Sequence, residues 1–137
     1  MKDIAKAIKQ ADYVYIAGNG GSASTANHFA NDLVKVCGVK AISLSSNEAI
    51  VTAYANDTGY ENIFYNQLKV FLKNDDLLIT ISGSGISKNI VKAIKFANQK
   101  GIKACSFPTM KEEKCTMFEI EDLHLKLTHR IVRILGK

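Results

Sequence analysis

At 137 residues, 47% of them hydrophobic and with Pro108 as its single proline, the chain is long enough for one packed core and too apolar to be a disordered segment. Its net charge of +5 comes from scattered lysines with no basic stripe interleaved with aromatics, which argues against nucleic acid and favours small anions as ligands. No apolar run is long enough to span a membrane, and the amphipathic first ten residues lack the apolar centre of a secretory leader. The cysteines, Cys37, Cys105 and Cys115, are odd in number and have no Cys-x-x-Cys spacing. They read as reduced, mostly buried thiols of a cytoplasmic protein.

Residues 2–10 predict a short helix with Ile4, Ala7 and Ile8 on one face. A strand at 13–17 runs into Gly18-Asn19-Gly20-Gly21-Ser22, then a helix from Ser22 to Val36 that Gly38 stops. Lys40 to Leu44 is a second strand. Asn47 caps a helix to about Ala55, broken by Asn56-Asp57-Thr58-Gly59. Tyr60 to Leu72 is helical by the spacing of Ile63, Phe64, Leu68, Phe71 and Leu72. The strand at 77–82, apolar except for Thr80 and Ser82, suits a parallel sheet covered on both faces. It opens into Ser82-Gly83-Ser84-Gly85-Ile86-Ser87, where Ser87 caps a helix that ends at Gly101. A fourth strand covers 102–107, and residues 108–118 carry no clear pattern. The last helix, 119–135, has an Ile120, Leu123, Leu127, Ile131 and Ile134 stripe. Leu125 and Val132 extend its apolar surface, which predicts burial on two sides.

Strands alternating with helices give an α/β fold: a single domain over 1–137 with a doubly wound, flavodoxin-like parallel sheet of four to five strands. The strand–loop–helix units at 13–36 and 77–100 repeat one another weakly.

The two Ser/Gly loops lack the spacing of a dinucleotide fingerprint and the Gly-Lys-Ser/Thr of a P-loop. They offer backbone N–H groups and the hydroxyls of Ser22, Ser82, Ser84 and Ser87 at helix N-termini, which favours a phosphate; helix capping alone is the alternative. His28 and Asp32 lie one turn apart on one helix face and can share a metal or pass a proton, or form a plain surface pair. On the last helix Glu121, Leu125 and His129 share a side. His124 flanks the apolar stripe and reads as a satisfied, partly buried histidine, which leaves His129 as the better catalytic candidate.

Gly18-Asn19-Gly20-Gly21-Ser22-Ala23, His28-Phe29-Ala30, Ala55-Asn56-Asp57 and Ile81-Ser82-Gly83-Ser84-Gly85 together resemble the phosphoheptose isomerases of the sugar-isomerase (SIS) superfamily. Ile120-Glu121-Asp122-Leu123-His124 followed by His129 is similar to their C-terminal helix, so the resemblance runs from about 13 to 135 with a gap near 108–118. It implies interconversion of sedoheptulose 7-phosphate and D-glycero-D-manno-heptose 7-phosphate through an enediol, for lipopolysaccharide or capsule precursors. It also implies substrate contacts at Asn19, Gly20, Ser22, Asp57, Ser82, Ser84 and Ser87, and catalysis by Asp32 and His129. A zinc site on His28, Asp32, Glu121 and His129 is implied, with a homotetramer or dimer whose active sites lie between subunits. Asp32 stands where the family has glutamate, Glu121 where it has glutamine, Ile86 for asparagine and Lys88 for proline, and 108–118 is short. A non-catalytic sugar-phosphate-binding or protein-bridging SIS module is the alternative.

Overall fold

A computed structural model describes residues 1–136. In chain order the elements are α1 (Lys2–Gln10), β1 (Val14–Gly18), α2 (Gly21–Cys37), β2 (Ala41–Ser43), α3 (Glu48–Thr58), a 3₁₀ turn (Tyr60–Asn62) and α4 (Ile63–Phe71). They continue as β3 (Leu77–Ile81), α5 (Lys88–Gln99), β4 (Lys103–Ser106), α6 (Met110–Glu113) and α7 (Met117–Leu135).

The two most apolar strands, β1 and β3, are buried along their whole length and pair in parallel from Val14 opposite Leu77 to Gly18 opposite Ile81. The half-exposed strands β2 and β4 flank them, so the parallel sheet runs β2-β1-β3-β4. Strand alternation divides the core between two helical layers. Val14, Ile16, Leu77, Ile79 and Ile81 pack with α1, α2 and α7 around Phe29, Leu33 and Ile131. Tyr15, Ala17 and Leu78 face α4 and α5 around Phe64, Leu68 and Ile90. Each fully buried Val, Leu, Ile or Phe side chain contributes about 1.5–3 kcal/mol, and the two central strands meet the buried helical residues on both faces.

Helix α3 runs through Asn56 and Asp57, where the sequence predicts a break. The stop is Gly59, at φ 98, and the Thr58 hydroxyl donates back to the Tyr54 carbonyl. Ser87 occupies the N-cap of α5 but makes no side-chain capping bond. The patternless stretch 108–118 resolves into two successive capping boxes. Thr109 and Glu112 start α6, and Thr116 and Glu119 start α7 two residues before the predicted boundary. In each box the threonine N–H and hydroxyl both donate to the glutamate, which holds the carboxyls of Glu112 and Glu119 below their ordinary range.

Helix α7 is buried on one side only, a correction to the expectation of two. Ile120, His124, Leu127, Thr128, Ile131 and Val132 face inward, whereas Leu125 is 40% and Ile134 37% exposed. Of the two residues that extend the apolar surface, Val132 is buried with the inner stripe, whereas Leu125 is left uncovered by the described residues. All three cysteines are half-buried rather than mostly buried. Among the described residues no helix is long and apolar enough to cross a membrane.

Candidate active site

In an open parallel sheet, ligands gather beyond the C-terminal ends of the strands where the strand order reverses, which here is between β1 and β3. β1 turns into α2 through a bend that only glycine permits, since a Cβ on Gly18 would lie 2.5 Å from the Ser22 carbonyl oxygen. β3 turns into α5 through Gly85, at φ +71, where a Cβ would meet the Thr109 methyl at 2.7 Å.

Between the loops lies a cleft of about 240 Å³. Asn19, Gly20, Ser22, Ser82, Ser84 and Ser87 line it from the loops, and Met117 and Glu121 of α7 face them. Ser82 Oγ accepts from the Gly85 N–H at 3.0 Å and Ser84 Oγ from the Ile86 N–H at 3.3 Å, so each hydroxyl keeps its own proton for a ligand. Neither α2 nor α5 has an acidic residue in its first turn. The positive end of α5 therefore meets no carboxylate from its own first turn. The end of α2 is different. A Cβ on Gly21 would come within 2.5 Å of Glu121 Oε1, so this carboxylate packs against the first turn of α2.

Asn19 is held by two residues the sequence reading did not single out. Its Nδ2 donates to Asn89 Oδ1 at 2.8 Å, Asn89 Nδ2 donates back to Asn19 Oδ1 at 2.9 Å, and the Tyr60 hydroxyl donates to the same Oδ1 at 3.1 Å. The available signal was a polar residue, Asn89, on the inward face of α5 beside Ile90 and Ala93. Asp57 does not line the cleft; it lies exposed on α3, accepting from the Asn56 amide at 2.9 Å.

The packing of α2 against α7 creates a second constellation. His28 Nε2 lies 3.1 Å from His129 Nε2 and 3.3 Å from Asp32 Oδ2, and the donor atoms of all three residues fall within 4.8 Å of one another. Glu121 is not part of this cluster. Eight residues separate it from His129 on one helix, about 12 Å at 1.5 Å per residue. Of the four metal ligands that the resemblance implies, the fold gathers three and leaves the fourth in the cleft.

His124 is 1% exposed, with Nε2 2.6 Å from the Pro108 carbonyl oxygen and its ring edge-on to Phe107. Its Nδ1 is buried without a partner, so only half of the expected satisfaction is met. Burial pushes its pKa below the ordinary value, against the opposing pull of the Pro108 carbonyl and Glu121.

The sequence profile of the SIS domain family matches residues 1–107. The chain is 36% identical over 151 aligned positions to phosphoheptose isomerase 2 of Campylobacter jejuni, an alignment covering 96% of this chain and 75% of the relative. It belongs to the phosphoheptose isomerase family of SIS domains. A second member of that family, the phosphoheptose isomerase of Thermodesulfovibrio yellowstonii, is 40% identical over 116 residues, 81% of this chain and 58% of the relative. The solved phosphoheptose isomerase of Francisella tularensis superposes with a TM-score of 0.85 at 26% identity, over 98% of this chain and 83% of that one. The chain thus spans between about half and three quarters of the length of its curated phosphoheptose isomerase relatives. The SIS profile ends at Phe107, before the helix that carries Glu121 and His129.

Proposed function

We propose that this chain, acting as one SIS domain in the cytoplasm, interconverts sedoheptulose 7-phosphate and D-glycero-D-manno-heptose 7-phosphate for surface polysaccharide precursors. The observation that carries the reading is the convergence of His28, Asp32 and His129 on the helix pair whose other end forms the Ser/Gly cleft. A module that only binds needs no such cluster.

In this reading the phosphate accepts from the hydroxyls of Ser82, Ser84 and Ser87 and from the N-terminus of α5, with Asn19, Gly20 and Ser22 on the opposite wall. Asp57, a substrate contact in the resemblance, lies exposed on α3 outside this cleft. The Asp32 carboxylate takes the proton from C1 of the ketose, leaving an enediol, and the His129 imidazole returns one to C2, giving the aldose. A proton moves from O1 to O2 in the same conversion, and Asp32 releases its proton to solvent while His129 takes one up, which restores both groups for the next turnover.

The donor set also suits zinc. Two imidazole nitrogens 3.1 Å apart and a carboxylate oxygen 3.3 Å from one of them are nitrogen and oxygen donors of the kinds zinc takes. His28, Asp32 and His129 would hold the ion, with Glu121 as a candidate fourth ligand from another subunit. An ion held there would supply Lewis-acid stabilisation of negative charge developing on substrate oxygens.

Seven residues of α2 separate Gly21 from His28, so cluster and cleft are about 10 Å apart along the helices. A dimer or tetramer that sets one subunit's cluster against another's cleft is therefore part of the proposal. The uncovered strip on α7, with Phe118 83%, Met117 43% and Leu125 40% exposed, supports such self-association.

The test is incubation with sedoheptulose 7-phosphate, with and without zinc, followed by NMR. New aldose signals that vanish in His129→Ala support the isomerase; an unchanged ketose spectrum overturns it. One observation favours a second reading, a non-catalytic sugar-phosphate-binding or protein-bridging module: the cleft is lined without any residue of the His28/Asp32/His129 cluster. That reading predicts ketose signals broadened by binding and no conversion.

A further inference from the structure

We propose that Asn89 is a positioning residue that fixes the Asn19 side-chain amide so that Asn19 offers only an N–H to a ligand in the cleft. The inference rests on the cleft being the sugar-phosphate site. Asn89 is 2% exposed, and a buried amide must find partners for its polar atoms. It finds them 70 residues away in sequence, in Asn19, through two reciprocal hydrogen bonds of 2.8 and 2.9 Å.

An asparagine amide has two acceptor lone pairs on oxygen and two N–H donors. Both lone pairs of Asn19 Oδ1 are taken, one by Asn89 Nδ2 and one by the Tyr60 hydroxyl at 3.1 Å. One N–H of Asn19 goes to Asn89 Oδ1. What remains for a ligand is the second N–H, on a residue that lines the cleft. A phosphate or hydroxyl oxygen can accept from it, whereas a ligand donor finds no free lone pair there. The same pair ties the β1–α2 loop to the first turn of α5, so the walls carrying Ser22 and Ser87 keep their spacing before a ligand arrives. Pre-set orientation of this kind lowers the ordering cost of binding. Neither Asn89 nor Tyr60 lines the cleft; both act through Asn19.

The experiment combines calorimetric titration with sedoheptulose 7-phosphate and NMR of the asparagine side-chain amides in the ligand-free protein. The expected result is an affinity loss of about three- to tenfold in Asn89→Ala, the scale set by freeing one side chain. It should add nothing when Asn19→Ala is already present. The Asn19 amide signals should shift in Asn89→Ala and in Tyr60→Phe. If Asn89→Ala does not fold, the isosteric Asn89→Asp serves, because a carboxylate cannot donate to Asn19 Oδ1 and the same shift and loss are expected. Losses that add in the double variant, or Asn19 signals that stay in place, would overturn the proposal. A wild-type protein that binds no sugar phosphate would instead overturn the reading of the cleft, and the amide signals would still decide whether Asn89 holds Asn19.

Discussion

The Nε2 atoms of His28 and His129 lie 3.1 Å apart although 101 residues separate them in sequence. At that distance at most one of the two atoms can carry a proton toward the other, and Asp32 Oδ2, 3.3 Å from His28 Nε2, competes for it. Three donor atoms sharing so few protons form a site ready for a cation. Zinc should therefore raise the thermal midpoint of the wild-type protein in a concentration-dependent way. In His28→Ala and in His129→Ala the zinc affinity should fall at least about tenfold, on the scale expected for a lost ligand interaction. Equal shifts in wild type and both variants would remove the cluster as the binding site.

The Ser84 hydroxyl accepts from the Ile86 N–H in a half-exposed turn and retains its own proton. Ser84→Ala should lower affinity for inorganic phosphate several-fold while changing stability by only about 0.5 kcal/mol, the usual range for surface positions. Calorimetry and urea unfolding measure the two effects separately. A variant that binds phosphate as the wild type does would take Ser84 out of the anion site.

Glu121 sets a negative charge against the first turn of α2, beside the space that an anion would fill. Removing that charge should help phosphate. Glu121→Gln is expected to bind inorganic phosphate several-fold more tightly, with the gain shrinking as salt rises and screens the interaction. An unchanged affinity at low salt would mean that the carboxylate does not face the bound anion.

Burial holds the His124 pKa below its ordinary value of 6.5, so the unfolded chain binds a proton at this residue that the folded chain refuses. The resulting contribution to stability is fully present above about pH 6.5. It is lost progressively as pH falls from there toward the folded-state value. His124→Gln can still donate to the Pro108 carbonyl but cannot titrate, so its unfolding midpoint should depend less on pH between 7 and 5.5. Parallel profiles for the two proteins would show that His124 is not the residue responsible. The glutamates of the two capping boxes act separately, at pH values below their ordinary 4.5.

The central strands and both Ser/Gly loops were legible because each is local: an apolar run of strand length, then glycine and serine before a helical period. Both Thr-x-x-Glu boxes were equally local, at Thr109–Glu112 and Thr116–Glu119. The surrounding stretch has no readable period, because α6 is a single turn of four residues with none of them buried. The candidate site was half legible. Helical spacing placed His28 beside Asp32, but whether Glu121 joins them depends on where α7 crosses α2, which no periodicity encodes. Asn19 and Asn89 are a non-local pair of polar residues, invisible until the two loops share the switch point. Leu125 shows the remaining limit: a pattern reveals an apolar face but not whether anything covers it.

The most direct test of isomerisation is proton NMR of sedoheptulose 7-phosphate incubated with the zinc-loaded protein in deuterium oxide. Proton transfer through an enediol predicts aldose signals with solvent deuterium at C2, absent when His129→Ala replaces the wild type. A ketose that neither converts nor exchanges its C1 protons, while still binding, would contradict an enzyme and leave a sugar-phosphate-binding domain.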